Sequence, residues 1–147
     1  MSEPLDVRIS HIGLCTSDIE HSLRFHTEAL GFVLDRSIDD IGSPYDSLME
    51  LPGVRCRVHY VKCGAVTMEL IGYPGIGVTG SAERRPMNQL GFTHMTLLVD
   101  DIDAAVERVV KYGGQVHPET AIDSPFGPMV FCTDPDGTRI ELVQSAG

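Results

Sequence analysis

A chain of 147 residues with 42% hydrophobic and 22% charged residues is long enough to bury a core, and its composition argues against disorder beyond the ends. Its net charge of −10 disfavours a nucleic-acid backbone or an anionic membrane as partner, since both are held by clustered Lys and Arg. With no basic-then-apolar leader, no apolar run near the ~20 residues of a bilayer span, and Cys15, Cys56, Cys63 and Cys132 scattered without a C-x-x-C pair, a cytoplasmic protein with reduced thiols is expected.

The chain repeats itself. From His11, HIGLCTSDIEHSLRFHTEALGFVL can be laid without a gap on HMTLLVDDIDAAVERVVKYGGQVH from His94, an offset of 83 residues. Each copy opens with an apolar run suited to a strand, and then Ser17-Asp18 or Asp100-Asp101 supplies a side-chain oxygen to cap a helix. Ile19, Ser22, Leu23, His26 and Leu30, and in the second copy Ile102, Ala105, Val106 and Val109, recur at helical spacing and predict buried stripes. His26 is read as helix packing. Gly31 and Gly113-Gly114 permit the left-handed residue that ends each helix.

The closing segments match as well, Val66 to Ile71 on Thr138 to Val143, now at an offset of 72. The first copy therefore carries 11 extra residues, assigned to a loop within Asp35 to Pro52. Both copies are expected to finish in hairpins. Arg55 to Lys62 returns through a turn at Cys63-Gly64, and Met129 to Thr133 through Asp134-Pro135-Asp136-Gly137. The expected organisation is one domain over 5–147, with a first module at 7–73, a Gly- and Pro-rich connector at 74–89 and a second module at 90–145. Each module reads βαβββ. Arg84 and Arg85 in the connector are read as solvated, with an anion-binding role as the alternative.

Two His open the repeats and two Glu sit in the closing strands, although the chain holds only six His and nine Glu. His11, Glu69, His94 and Glu141 are thus a pseudo-symmetric set of candidate metal ligands. The hairpin turn at Cys63-Gly64 sets Val58 opposite Glu69 and Tyr60 opposite Thr67, placing Glu69 on a face with Cys56, Val58 and Tyr60. Met68, Leu70 and His59 then point to the other face. A carboxylate among such apolar neighbours is expensive unless a cation compensates it.

These segments, with GAVTMELIGY and DPDGTRIELV, resemble the vicinal oxygen chelate superfamily, which includes glyoxalase I, methylmalonyl-CoA epimerase, extradiol dioxygenases and bleomycin-resistance proteins. The resemblance implies an α+β fold in which two tandem βαβββ modules form a curved mixed sheet around one metal-binding cavity. It further implies one divalent ion (Ni, Co, Zn, Mn or Fe) held by His11, Glu69, His94 and Glu141, with Glu141 or Glu69 as base. Bacterial-type glyoxalase I is similar in ligand order. The implied activity is that of a lyase or isomerase removing a proton next to a carbonyl bound to the metal, on a small-molecule substrate, in a homodimer. Two departures stand against it: Leu14-Cys15 replaces the Arg-containing start of the first strand, and Cys56 or Val58 stands where an epimerase has its additional acid. The alternatives are an acyl-CoA epimerase, an Fe(II) extradiol-type dioxygenase using His11, His94 and Glu141, and a non-catalytic drug-binding protein.

Overall fold

Residues 1–145 are described in a computed structural model. The first repeat runs β1 (Ile12–Cys15), α1 (Ile19–Arg24), a π-helical turn (Phe25–Ala29), β2 (Val33–Ile41), α2 (Tyr45–Leu48), β3 (Cys56–Cys63) and β4 (Val66–Gly72). The second runs β5 (Met95–Val99), α3 (Ile102–Lys111), β6 (Gln115–Ser124), β7 (Gly127–Thr133) and β8 (Arg139–Gln144). The βαβββ pattern is present twice, as two open mixed sheets ordered β1-β4-β3-β2 and β5-β8-β7-β6. In each, the opening strand lies parallel to the closing one. Gly13 pairs with Glu69 and Thr96 with Glu141, so the two sequence offsets meet at equivalent ladder positions.

Asp18 and Asp101 cap their helices, each accepting a backbone N–H at 3.0 Å, from His21 and Ala104 respectively. His26 is packed between Phe25 and Phe32, and its Nδ1 donates to the Ser22 carbonyl at 2.8 Å. Burial pushes its pKa down, so the ring sits in the core as a neutral, satisfied group. Gly31 and Gly113 take the expected left-handed conformation, with φ of 74° and 97°. The four cysteines are free thiols, and no helix among the described residues is long and apolar enough to cross a membrane.

Two expectations are corrected. Asp35 to Ile41 is not loop: it forms most of β2 and pairs antiparallel with β3, with irregularities after Leu34 and Ile38 that absorb its polar residues. The extra residues of the first copy follow it and contain α2. The β3–β4 turn is also displaced, to Gly64-Ala65, so Tyr60 and not Val58 lies opposite Glu69. Gly64 has φ of 57°, which the first position of a Gly-X hairpin turn demands. The slip is two residues, so every side chain stays on its expected face.

The two modules share one interior. Phe25 and Ala29 of the first pack with Val109, Val130, Cys132, Ile140 and Leu142 of the second. Met95 and Leu97 of β5 in turn pack against Phe32, Val61, Met68 and Leu70. The helix-bearing faces of both sheets are therefore buried together, and His21 Nε2 donates to the Tyr112 carbonyl at 2.8 Å across the seam. Gly114 lies at a close approach beside it, where an added Cβ would meet the Thr133 carbonyl at 2.6 Å, Val109 at 2.7 Å and the Phe25 ring at 2.8 Å. Gly114→Ala should lower unfolding stability by about 1–3 kcal/mol through overpacking, read as a lower urea midpoint at unchanged slope.

At the β7–β8 turn, Asp134 is buried and its Oδ1 accepts the N–H groups of Asp136 and Thr138 at 2.9 and 2.8 Å. Burial pushes its carboxyl from 3.8 up to about 6, against the pull of those two donors. Because the folded value is the higher one, its stabilising contribution is complete below about pH 4 and is lost as pH rises through 6. Asp134→Asn keeps an acceptor for both N–H groups and removes the charge. Its stability relative to wild type should rise from pH 4 to 7 by up to about 3 kcal/mol, measured by denaturant unfolding at each pH.

Candidate functional site

Alternation along β4 buries Met68 and Leu70 against the helix side and leaves Glu69 on the opposite face. There its Oε2 lies 3.3 Å from His11 Nε2, just ahead of β1, and its Oε1 accepts the Tyr60 hydroxyl at 2.7 Å. The His11 ring stands edge-on to Tyr60, centroids 5.5 Å apart, and its Nδ1 engages the Ser10 hydroxyl at 3.0 Å. Arg36, opposite Tyr60 in the ladder, lays its guanidinium over the Tyr60 ring, 4.3 Å from the centroid. Cys56, Val58 and Tyr60, with Ile41, Met49, Ile71 and Tyr73 around them, make an apolar cluster beside Glu69. Burial and the Glu69 charge raise the pKa of Cys56, so it stays a thiol rather than a nucleophilic thiolate. Burial first, and then the Glu69 carboxylate, also raise that of Tyr60, while Arg36 pulls the other way.

The second module repeats this arrangement. His94 precedes β5, its Nδ1 engages the Thr93 hydroxyl at 2.8 Å, and its ring stands edge-on to Phe131 at 5.4 Å. Phe131 lies opposite Glu141 as Tyr60 lies opposite Glu69. Arg139 covers Phe131 at 5.1 Å. Having no hydroxyl, Phe131 cannot serve the carboxylate, and Glu141 Oε1 accepts from Thr96 Oγ1 at 3.1 Å instead.

The donor chemistry fits a divalent cation. Ligand atoms about 2.0–2.2 Å from one ion stand roughly 3.0–3.4 Å apart, which matches the His11–Glu69 separation of 3.3 Å. In both His the Nδ1 is occupied by a hydroxyl, which leaves Nε2 as the nitrogen available to a cation, and that of His11 faces Glu69. The structure brings His11 and Glu69 together, and sets His94 and Glu141 around Phe131. It does not bring the four to one point: among the described residues no three His, Cys, Asp or Glu side chains converge. An apolar groove of about 340 Å³ lies between β1 and β5, with Gly13 and Met68 on one side and Thr93 and His94 on the other.

Sequence reasoning missed Tyr60 as a partner of Glu69, because the turn was placed one residue early; the Gly-X signal at Gly64-Ala65 was the available cue. It also passed over Ser10 and Thr93, the hydroxyl residues that precede each His. Arg84 and Arg85 are both engaged within the fold, by Glu119 at 3.0 Å and by the Phe92 carbonyl at 2.9 Å.

Comparison with known proteins identifies the family. The family model of the Glyoxalase/Bleomycin resistance protein/Dioxygenase superfamily matches residues 8–142. The chain is 26% identical over 140 residues to the lactoylglutathione lyase of Salmonella typhimurium, covering 95% of this chain and 93% of that one. It is 29% identical over 147 residues to that of Neisseria meningitidis serogroup B, covering 94% and 91%. Among solved structures, a glyoxalase family protein from Bacillus cereus superposes with a TM-score of 0.86 at 17% identity, covering 100% of this chain and 99% of that one. The trypanothione-dependent glyoxalase I of Leishmania major does so at 0.66 and 22%, covering 95% and 87%. These two likenesses concern the fold. With the family model spanning nearly all of it, the chain belongs to the Glyoxalase/Bleomycin resistance protein/Dioxygenase superfamily.

Proposed function

We propose that this protein is a metal-dependent lyase/isomerase of the glyoxalase I kind, converting a 2-oxoaldehyde thiohemiacetal to a 2-hydroxyacyl thioester. The observation that carries the reading is the paired His–carboxylate arrangement, His11 with Glu69 at 3.3 Å and its counterpart of His94 and Glu141 around Phe131. A divalent ion held by these four residues supplies Lewis acidity toward the substrate's carbonyl oxygen. The lyases named among the relatives support the same chemistry.

The protein's own groups divide the work. Both oxygens of Glu69 are engaged, by Tyr60 and His11, and its side chain is 17% exposed. That makes it the fixed carboxylate. Glu141 has one hydroxyl contact, from Thr96, and is the carboxylate that takes the proton from the carbon next to the carbonyl. It returns that proton to the neighbouring carbon, and the thiohemiacetal's hydroxyl proton passes to the former carbonyl oxygen, so the reaction is a net isomerisation. The apolar cluster of Cys56, Val58 and Met49 excludes water from the first module's side. Replacing Glu141 by Gln should lower kcat by at least about 100-fold with the fold intact, followed as thioester formation from methylglyoxal and small thiols, glutathione included; undiminished turnover would remove Glu141 from the role.

The second part of the proposal is that the site is completed between two copies, the His11–Glu69 face of one against the His94–Glu141 face of the other. The apolar residues left in water support this: Phe92 is 91% exposed, Leu98 74%, and the extended N-terminal arm shows Leu5, Val7 and Ile9. Large apolar side chains left in water favour an interaction face. Mixing His11→Ala protein with Glu141→Gln protein tests the idea, because each mixed dimer would contain one site with four native ligands. About a quarter of wild-type activity should return on mixing two inactive variants. A site built within one chain would give none.

A further inference from the structure

The two half-sites obey one rule by different means, and the difference assigns a role to a residue outside the ligand set. Glu69 accepts its hydroxyl from Tyr60, its antiparallel neighbour on β3. Glu141 accepts its hydroxyl from Thr96, its parallel neighbour on β5. At the position equivalent to Thr96 the first module has Gly13, and at the position equivalent to Tyr60 the second has Phe131. Each carboxylate therefore has one hydroxyl donor, and the donor has changed strands.

We infer that Tyr60 is a positioning residue for the cation site: its hydroxyl holds Glu69 in the orientation that presents Oε2 beside His11 Nε2. The inference rests on the metal reading above and concerns this chain's own side chains. Three observations bear it. The phenol is 9% exposed, so water competes poorly for its hydrogen bond to Glu69. The ring is held from two directions, by the His11 edge at 5.5 Å and by the Arg36 guanidinium at 4.3 Å, so the hydroxyl is fixed before any ligand arrives. Among the described residues Arg36 forms no ion pair with a carboxylate, although Arg57 on β3 pairs with both Glu20 and Asp39. Its visible role is the stack on Tyr60.

The exchange of donors also supplies the test. Phe131 shows that a phenyl ring is accommodated at this place in the fold, so Tyr60→Phe removes the hydroxyl and keeps the packing. A Cβ built on Gly13 meets the Ile71 side chain at 3.5 Å and Glu69 Oε2 at 3.9 Å, both ordinary contacts. Gly13→Thr can therefore restore a hydroxyl to Glu69 from the strand that serves Glu141. Zn²⁺ affinity of the full chain is measured by competition with a chromophoric chelator. Loss of an outer partner of a metal ligand lowers affinity by about 10–100-fold, and that is expected for Y60F. The double variant Gly13→Thr, Tyr60→Phe should recover most of it, a result that a general packing defect would not give. Y60F binding Zn²⁺ as tightly as wild type overturns the role of Tyr60 alone. A double variant no better than Y60F overturns the hydrogen-bond explanation. A wild-type chain that takes up no Zn²⁺, Ni²⁺ or Co²⁺ overturns this inference and the metal reading together, and is recognised before any variant is compared.

Discussion

Consecutive side chains of a strand point to opposite faces, and in β4 and β8 this alternation ties the interior to the chemistry. Met68 and Leu70 must be buried under the helices, so Glu69 between them is forced onto the other face; Ile140 and Leu142 do the same for Glu141. Hydrophobic burial thus aims both carboxylates without any interaction at the carboxylates themselves. The parallel pairing of β1 with β4 and of β5 with β8 then brings each strand-opening His to the same end of the sheet as its Glu. A one-residue slip in either closing strand would send the carboxylate into the core and a leucine into the site.

Much of this was legible in the sequence for the same reason. The ungapped match from His11 to His94 and the match of the closing strands survive as equivalent ladder positions, because the requirement for burial acts on both copies alike. The helix starts at Asp18 and Asp101 were readable because capping is a local rule with a local signature. The contacts of Glu69 were not. They depend on hairpin register, which a single displaced turn residue alters by two, and alternation conceals such an error by keeping every residue on its face. Tyr60 therefore seemed to lie opposite Thr67 while sharing the correct side. Nor could spacing show that Asp35 to Ile41 is strand, since its polarity imitates a loop until the irregular pairing with β3 is seen.

The shared interior has a consequence for how the halves depend on each other. Phe25 is fully buried yet belongs to the second module's cluster, and Met95 and Leu97 pack against the clusters of both modules. Neither module owns a complete core. The helix-bearing faces are consumed in joining the repeats, which leaves the faces that carry Glu69 and Glu141 as the surfaces on offer to anything outside the chain. Gly114 permits that joining, since its missing Cβ is what lets the β6 start, the Thr133 carbonyl and the Phe25 ring meet.

The traded hydroxyls bear on how such a duplicated fold diverges. Each carboxylate is flanked by two strands, and either of them is able to supply the hydroxyl that orients it. One copy uses the parallel neighbour and the other the antiparallel one, and the position that supplies no hydroxyl is Gly13 in the first module and Phe131 in the second. Setting the copies side by side places Gly against Thr and Tyr against Phe, and neither pair on its own shows that a hydroxyl is kept beside each carboxylate. What the two halves have in common is an O–H beside the carboxylate, carried by a different residue on a different strand in each.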